Sequence, residues 1–431
     1  MTTRIIDTRH PNYIADQCWW EEWRECYTGG PDYVSRNLRK FSERETEPDF
    51  NTRKFFTPIP SYAKSAINDI RNAIFQRLRD VTRRDGSSAY MKASAGELGG
   101  VDNNGSSMQH FFGITVLTEV LVMGRCGVYV DMPRLEGATL ADAEGKRPYI
   151  YHYPVEDILS WSATKPEAPG EYQAVLLRDR GVDYNNMFMP GISLPSGTYT
   201  RYRLMWIDPE TGRVNIQMYD EDENPINLNG DFDPGSVFRS ELTRIPFTMV
   251  DIQGSLLKDV YKHQTALLNL GSSDVSYALK ANFPFYTEQK DMRAMGDHLK
   301  ESISDDGSSG TSDNTGAGKE ARVGVTHGRT YDLKAERPGF IHPSPEPLNA
   351  SIRLQEKLED DIRKLVNLEV QNKMGSRAAS AEAIKMSDQG LEAGLSFIGL
   401  VLEGAERTVA TFWAAYENKS QDKQQVATIK Y

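Results

Sequence analysis

Residues 348–385 read LNASIRLQEKLEDDIRKLVNLEVQNKMGSRAASAEAIK. From Leu348 to about Glu369 apolar residues recur at helical spacing, with Ile352, Leu354, Leu358, Ile362, Leu365 and Val366 on one broad face. Arg353, Glu356, Lys357, Glu359, Asp360, Arg363 and Lys364 make the remainder charged. That pattern predicts an amphipathic helix suited to stand beside copies of itself, with ion pairs between neighbours. The pattern breaks at Gln371, Asn372, Lys373, Met374, Gly375, Ser376 and Arg377. Small and apolar residues then resume from Ala378 and predict a second, longer helix to Tyr416.

Upstream, Ser255 to Asn282 reads as another helix, with Ser255 able to cap it. Leu256, Leu257, Val260, Leu267 and Leu268 form its apolar stripe, and Pro284 forbids continuation. About 28 residues at ~1.5 Å each would span ~40 Å. Between these helices, 285–346 reads as a small insert with short strands near Phe283–Tyr286, Val323–Val325 and Tyr331–Leu333. Its tract Ser304–Gly318 contains no apolar residue except Ala317. Such a tract cannot bury enough surface to order itself and is expected to be mobile.

The N-terminal half mixes helices and antiparallel strands. Trp19, Trp20 and Trp23 fall at helical spacing, which predicts an aromatic face packed on a core. Ala63, Ala66, Ile67, Ile70, Ile74 and Leu78 predict a helix over 61–84, with Arg71, Arg77, Arg79, Arg83 and Arg84 on its solvated face. Residues 85–107 are Gly-, Ser- and Asn-rich and read as a loop or short elements. An apolar helix follows over 108–124, ended by Gly124. Strands are expected at Gly127–Pro133, stopped by its proline, and at Arg147–Tyr153, with Asp157–Trp161 closing that unit, and then at Tyr172–Leu177, Tyr199–Trp206, Val214–Tyr219 and Ile245–Val250. Asp208-Pro209-Glu210-Thr211-Gly212 is turn chemistry. Residues 417–431 are polar, with no clear element expected.

Composition narrows the possibilities. The 431 residues are 39% hydrophobic and 26% charged, room for two or three domains. A formal net charge of −11 does not attract nucleic acid by bulk electrostatics. Three cysteines, Cys18, Cys26 and Cys126, do not make a disulfide framework, and the spacing of Cys18 and Cys26 matches no usual zinc site. No run of 18 apolar residues exists, and the first residues lack a signal-peptide pattern, so a soluble protein made in the cytoplasm is expected.

Catalytic signatures are missing from the sequence. Gly316-Ala317-Gly318-Lys319 fails as a phosphate loop, since Asp313 stands where Gly is required and Glu320 replaces Ser or Thr. The seven histidines form no His-x-x-x-His or His-Glu-x-x-His pattern, and no Gly-x-Ser-x-Gly elbow occurs. Asp220-Glu221-Asp222-Glu223 reads as a solvated acidic loop. No catalytic residue, metal ligand or cofactor is therefore expected.

Several strings occur in a telling order: Gly127-Val128-Tyr129-Val130-Asp131, then Arg147-Pro148-Tyr149, then Tyr153-Pro154-Val155-Glu156-Asp157-Ile158-Leu159-Ser160-Trp161. Ile245-Pro246-Phe247 then precedes a long helix, and Ser380-Ala381-Glu382-Ala383-Ile384-Lys385 follows the break. This order resembles the portal proteins of tailed bacteriophages, most closely a portal-like family recorded as a domain of unknown function in podovirus and siphovirus genomes. The resemblance covers about 10–416, and each string is weakly specific alone.

The resemblance implies an α+β portal fold. In it 1–250 is a mixed α/β wing, 251–283 and 347–369 are two stem helices, and 284–346 is a small α/β clip. Residues 370–378 are a tunnel loop facing DNA, and 379–431 a long kinked wing helix leading to a short, missing or removed crown. It implies a ring of copies, usually twelve, at one capsid vertex of the virion, assembled in the host cytoplasm. Double-stranded DNA would pass through without sequence specificity during packaging and ejection. Terminase large subunit, a head–tail adaptor, major capsid protein and scaffolding protein would be partners, and no membrane. Gln371 to Arg377 would face DNA, with Lys373 and Arg377 the positive contacts, and Leu358, Ile362 and Leu365 would pack the stem. Two other readings are another neck or tail protein of the virion, and a hydrolase using carboxylates.

Overall fold

Helical spacing in the sequence becomes helix wherever its apolar stripe finds a partner. The computed structural model describes residues 4–77, 81–133, 146–164, 170–184, 186–189, 192–227, 230–282, 285–287, 339–341, 344–373, 383–417 and 425–431. The helices are α1 (Pro11–Thr28), α2 (Pro31–Asn37), α3 (Glu47–Phe56), α4 (Tyr62–Arg77) and α5 (Ser88–Ser94). α6 spans 108–123 and passes through a π-helical stretch at Phe111–Val116. Then come α7 (Tyr261–Ala281), α8 (Glu346–Asn372) and α9 (Ala383–Glu417).

The strands are β1 (Thr82–Arg84), β2 (Arg125–Asp131), β3 (Tyr149–Tyr153), β4 (Ile158–Ala163), β5 (Tyr172–Asp183), β6 (Asn186–Met189), β7 (Ile192–Leu194), β8 (Gly197–Ile207), β9 (Val214–Tyr219), β10 (Pro225–Ile226), β11 (Phe238–Arg239), β12 (Phe247–Asp251), β13 (Phe285–Thr287), β14 (Gly339–Ile341) and β15 (Thr428–Lys430). Every described pairing is antiparallel, and the class is α+β.

The chain divides into two compact units, one of 1–38, 59–268 and 357–431, the other of 39–58 and 269–356. The larger unit has two hydrophobic cores. One gathers α1, α4, α6 and α9 around Ile67, Phe112, Leu117, Leu121 and Trp413, all fully buried. The periodic stripe of α4 is the reason it joins them: Ala63, Ala66, Ile67, Ile70 and Ile74 are all buried. Each buried isoleucine contributes roughly 1.5–3 kcal/mol relative to exposure. In α1, Trp20 and Trp23 are buried while Trp19 turns outward. Gly124 ends α6 with φ 83°, and a Cβ there would come within 2.6 Å of the Gly254 backbone, so only glycine fits.

The second core lies between two sheets. The three-stranded sheet runs β12–β2–β3, with Tyr129 opposite both Phe247 and Tyr151. The larger sheet runs β10–β9–β8–β5–β4, with β11 also on β9. Tyr129, Tyr153, Val175, Leu177, Met205 and Phe247 fill the space. Alternation assigns the faces: Val175, Leu177 and Met205 go to this core, while Leu176 and Leu204 turn to the first. Across the seam, Arg203 pairs with Asp179 at 2.8 Å and lies 5.0 Å over the Tyr129 ring.

Several expectations are corrected. The helix of 61–84 stops at Arg77, and Arg83 and Arg84 lie in β1. Their strand pairs with β15, so 417–431 does contain an element. Arg83 donates two hydrogen bonds to buried Glu406, at 2.5 and 3.0 Å, which a helical face turned to solvent could not provide. Tyr431 also donates to Glu406, at 2.7 Å. Ser255 does not cap α7, which begins at Tyr261; its hydroxyl accepts from Leu257 N–H and donates to the Val122 carbonyl. α8 continues through Asn372, past the expected end near Glu369. α9 is described from Ala383 and runs 35 residues. The strands expected at 323–325 and 331–333, the 304–318 tract and 316–319 lie outside the described residues.

Candidate channel and subunit-contact surfaces

The break after α8 is the first candidate. Gln371 and Asn372 are helical, Lys373 follows as a turn, and Met374, Gly375, Ser376 and Arg377 lie outside the described residues. After β12, Gln253 and Gly254 take positive φ (63° and 113°), and this tight turn exposes two carbonyls. The Lys373 ammonium donates to both, at 3.1 and 2.8 Å. Burial holds its pKa below the ordinary lysine value, an effect that nearby Glu369 and Asp251 oppose. The charge expected to meet DNA therefore ties the start of the break to the β12 turn.

On the far side of the break, α9 comes back against the end of α8. A Cβ on Gly394 would lie 2.1 Å from the Val370 carbonyl oxygen, so the helices approach at backbone distance there. Gly390 likewise faces the Gln371 side chain. These two glycines let α9 lie against the last turn of α8.

The α8 stripe expected to pack between copies is partly used within the chain. Ile362, Val366 and Val370 are buried in the first core, and Leu358 and Leu365 pack against it half-buried. Leu368 remains exposed, as do Ile352 and Leu354 in the smaller unit. Sequence reading treated Ile352 to Val366 as one face. The i, i+4 run Ile362–Val366–Val370 is the finer signal that separates the buried line from the outer one.

The smaller unit holds a groove of about 460 Å³ between α3 and the end of α7. Phe41, Phe56, Val275 and Leu279 form its apolar lining, with Arg44 and Asp49 beside them. Arg53 builds one wall. It is 6% exposed, donates to Glu45 (2.7 and 2.8 Å), Ser272 (2.9 Å) and the Arg39 carbonyl (2.6 Å), and stacks on Phe41 at 3.6 Å. These partners use four of its five N–H donors, and together they fix Arg53 as part of the groove wall. Phe41, Phe55, Phe56 and Leu279 are all exposed, a large apolar surface for a charged chain.

Of the remaining basic residues singled out by sequence, Arg83 is engaged by Glu406, and Arg77 and Arg79 carry no described side chain. Asp220 is half-buried and accepts from the Asp222 and Asn224 backbone, in a turn whose Glu221 and Asp222 are exposed. Among the described residues no three His, Cys, Asp or Glu side chains converge as a metal site, and no helix is long and apolar enough to cross a membrane. Cys26 and Cys126 are buried and Cys18 exposed, all as free thiols. No protein-family model matches the chain, and no curated protein matches it.

Proposed function

We propose that this chain is a portal protein: a subunit of a ring at one capsid vertex through which DNA enters during packaging and leaves during ejection. The observation that carries the reading is the order of elements. α7 leads into an insert whose described ends, β13 and β14, pair as antiparallel strands. α8 leads out of it, and a short break separates α8 from the 35-residue α9. In this reading α7 and α8 are the stem, the insert is the clip that docks terminase and later a head–tail adaptor, and the stretch from Lys373 to 378, after the end of α8, is the tunnel loop.

The electrostatics support passage rather than grip. A net charge of −11 repels phosphate, and each phosphate neutralised would add salt-dependent drag by counterion release. Lys373 is occupied by carbonyls, which removes one such contact. The chain presents no nucleotide-binding motif, so an ATP-driven terminase would supply the force. Copies would pack heterologously and close into a ring, usually of twelve. Negative-stain imaging of purified protein tests the reading. Rings with a central channel are expected, and only single chains or dimers across several salt concentrations would overturn it.

A further inference from the structure

Residues 184–200 contain no Asp, Glu, Lys or Arg, in a chain that is 26% charged. A comparable run, 103–118, leads into and builds the first part of α6, where Met108, Phe111, Phe112, Val116 and Leu117 are buried. The run 184–200 has the opposite fate. It forms the outer end of the β5–β8 ribbon and the separate β6–β7 hairpin. No described residue from 178 to 201 belongs to either hydrophobic core or packs against one. Val182, Tyr184, Met189, Ile192 and Leu194 are each 45% to 57% exposed. A two-stranded ribbon without a core is marginal by itself, and depletion of charge with exposed large apolar residues marks the centre of an interface.

We propose that this ribbon is an inter-subunit arm whose apolar residues seat in the Phe41–Phe56–Leu279 groove of a second copy of the same chain. The proposal rests on the ring reading above and names a contact within it. Charge selects the occupant. Two chains of net charge −11 repel, and a contact made through 184–200 adds no negative charge to that repulsion. An anionic membrane is the poorer partner, because the run holds no cation to offset that repulsion. The groove supplies the complement: apolar lining, about 460 Å³, with aromatic rings that a Leu or Ile side chain can cover. Ribbon and groove are different surfaces, so the contact is heterologous and propagates from copy to copy until the ring closes.

Two arms test this. Ile192→Asp with Leu194→Asp alters only exposed side chains, so the chain should fold with unchanged circular dichroism. The fraction of chains in rings should fall at least ~10-fold, because two carboxylates would have to give up water against the Phe41, Phe56 and Leu279 side chains, with Glu45 and Asp49 also lining the groove. In the second arm, Leu194→Cys with Thr52→Cys, in a Cys18→Ser background, is treated with a short bismaleimide; Thr52 lines the groove. A ladder of linked chains that needs both cysteines is expected. Rings at wild-type yield from the double-Asp variant, or links confined to single chains, would overturn the arm while leaving the portal reading standing. If the wild type makes no rings, the portal reading fails and the crosslinks decide alone: a ladder supports the ribbon–groove contact, and its absence refutes it.

Discussion

Strands β5 and β8 pair continuously from Ala174–Trp206 to Asp183–Gly197, yet their two halves are held by different means. The inner half sits among buried side chains: Val175, Leu176, Leu177 and Met205 fill cores on both faces. The outer half has backbone pairing and no core. Backbone hydrogen bonds are alike in the two halves, so the comparison separates what pairing does from what burial does. Net hydrogen bonding contributes about 0.5–1.5 kcal/mol per bond, whereas burying one large apolar side chain contributes about 1.5–3 kcal/mol. The inner half therefore anchors the sheet, and the outer half keeps its apolar residues available.

At the junction stands Asp179, which accepts from Arg203 and from the Tyr153 hydroxyl. Removing it should have the largest effect. Asp179→Ala leaves the Arg203 guanidinium, whose side chain is 14% exposed, short of its main partner and should cost about 3 kcal/mol in denaturant unfolding. A loss below about 1 kcal/mol would mean that the clamp does not join the halves. Next comes a matched pair. Leu177→Ala in the inner half should cost ~2–4 kcal/mol, and Leu194→Ala in the outer half within ~0.5 kcal/mol. Equal losses would erase the distinction between the halves.

The smallest effect is a pH dependence confined to the inner side. The His10 ring stacks on Trp161 of β4 at 3.8 Å, its Nδ1 accepts from Asn12 N–H, and its backbone N–H donates to the Leu159 carbonyl. Burial first, then nearby Arg125, lowers its pKa below 6.5. Burial does the same to His152 on β3, with Glu119 opposing and Arg24 assisting. Both groups take up a proton more readily when unfolded. Their stabilising share is complete above the unfolded value near 6.5 and is lost as pH falls from there through the folded values. Melting temperature should drop as pH falls through the unfolded value near 6.5, and His10→Gln should flatten part of that drop. A curve unchanged by the substitution would remove His10 from the account.

Much of this fold is legible in the residues. α4, α6 and α8 follow from apolar spacing, and Gly124 marks a helix end because its left-handed φ and close backbone contact exclude a side chain. The β-type runs expected at 172–177, 199–206 and 214–219 all lie in strands, β5, β8 and β9. The candidate sites are legible only in part. The break after α8 shows as a composition change, but nothing local reveals that Lys373 is taken by the carbonyls of Gln253 and Gly254, over a hundred residues away in sequence. The apolar groove has no signature at all, since Phe41, Phe56 and Leu279 come from distant segments. The charge-free run 184–200 is visible in the sequence, but its composition alone resembles that of 103–118, whose Phe111, Phe112 and Leu117 are buried.

By itself, then, the sequence determined the periodicities: which segments can be helix or strand, which face of each is apolar, and how little charge the ribbon carries. Those properties depend on near neighbours along the chain. Tertiary structure alone decided that Arg83 leaves its expected helix for a strand paired with 428–430, that Ile362 is inside while Leu354 is outside, and that the ribbon stays out of both cores. The reason is physical: burial is a property of pairs of surfaces, and an apolar stripe does not specify which distant surface, in its own chain or in a copy, will cover it.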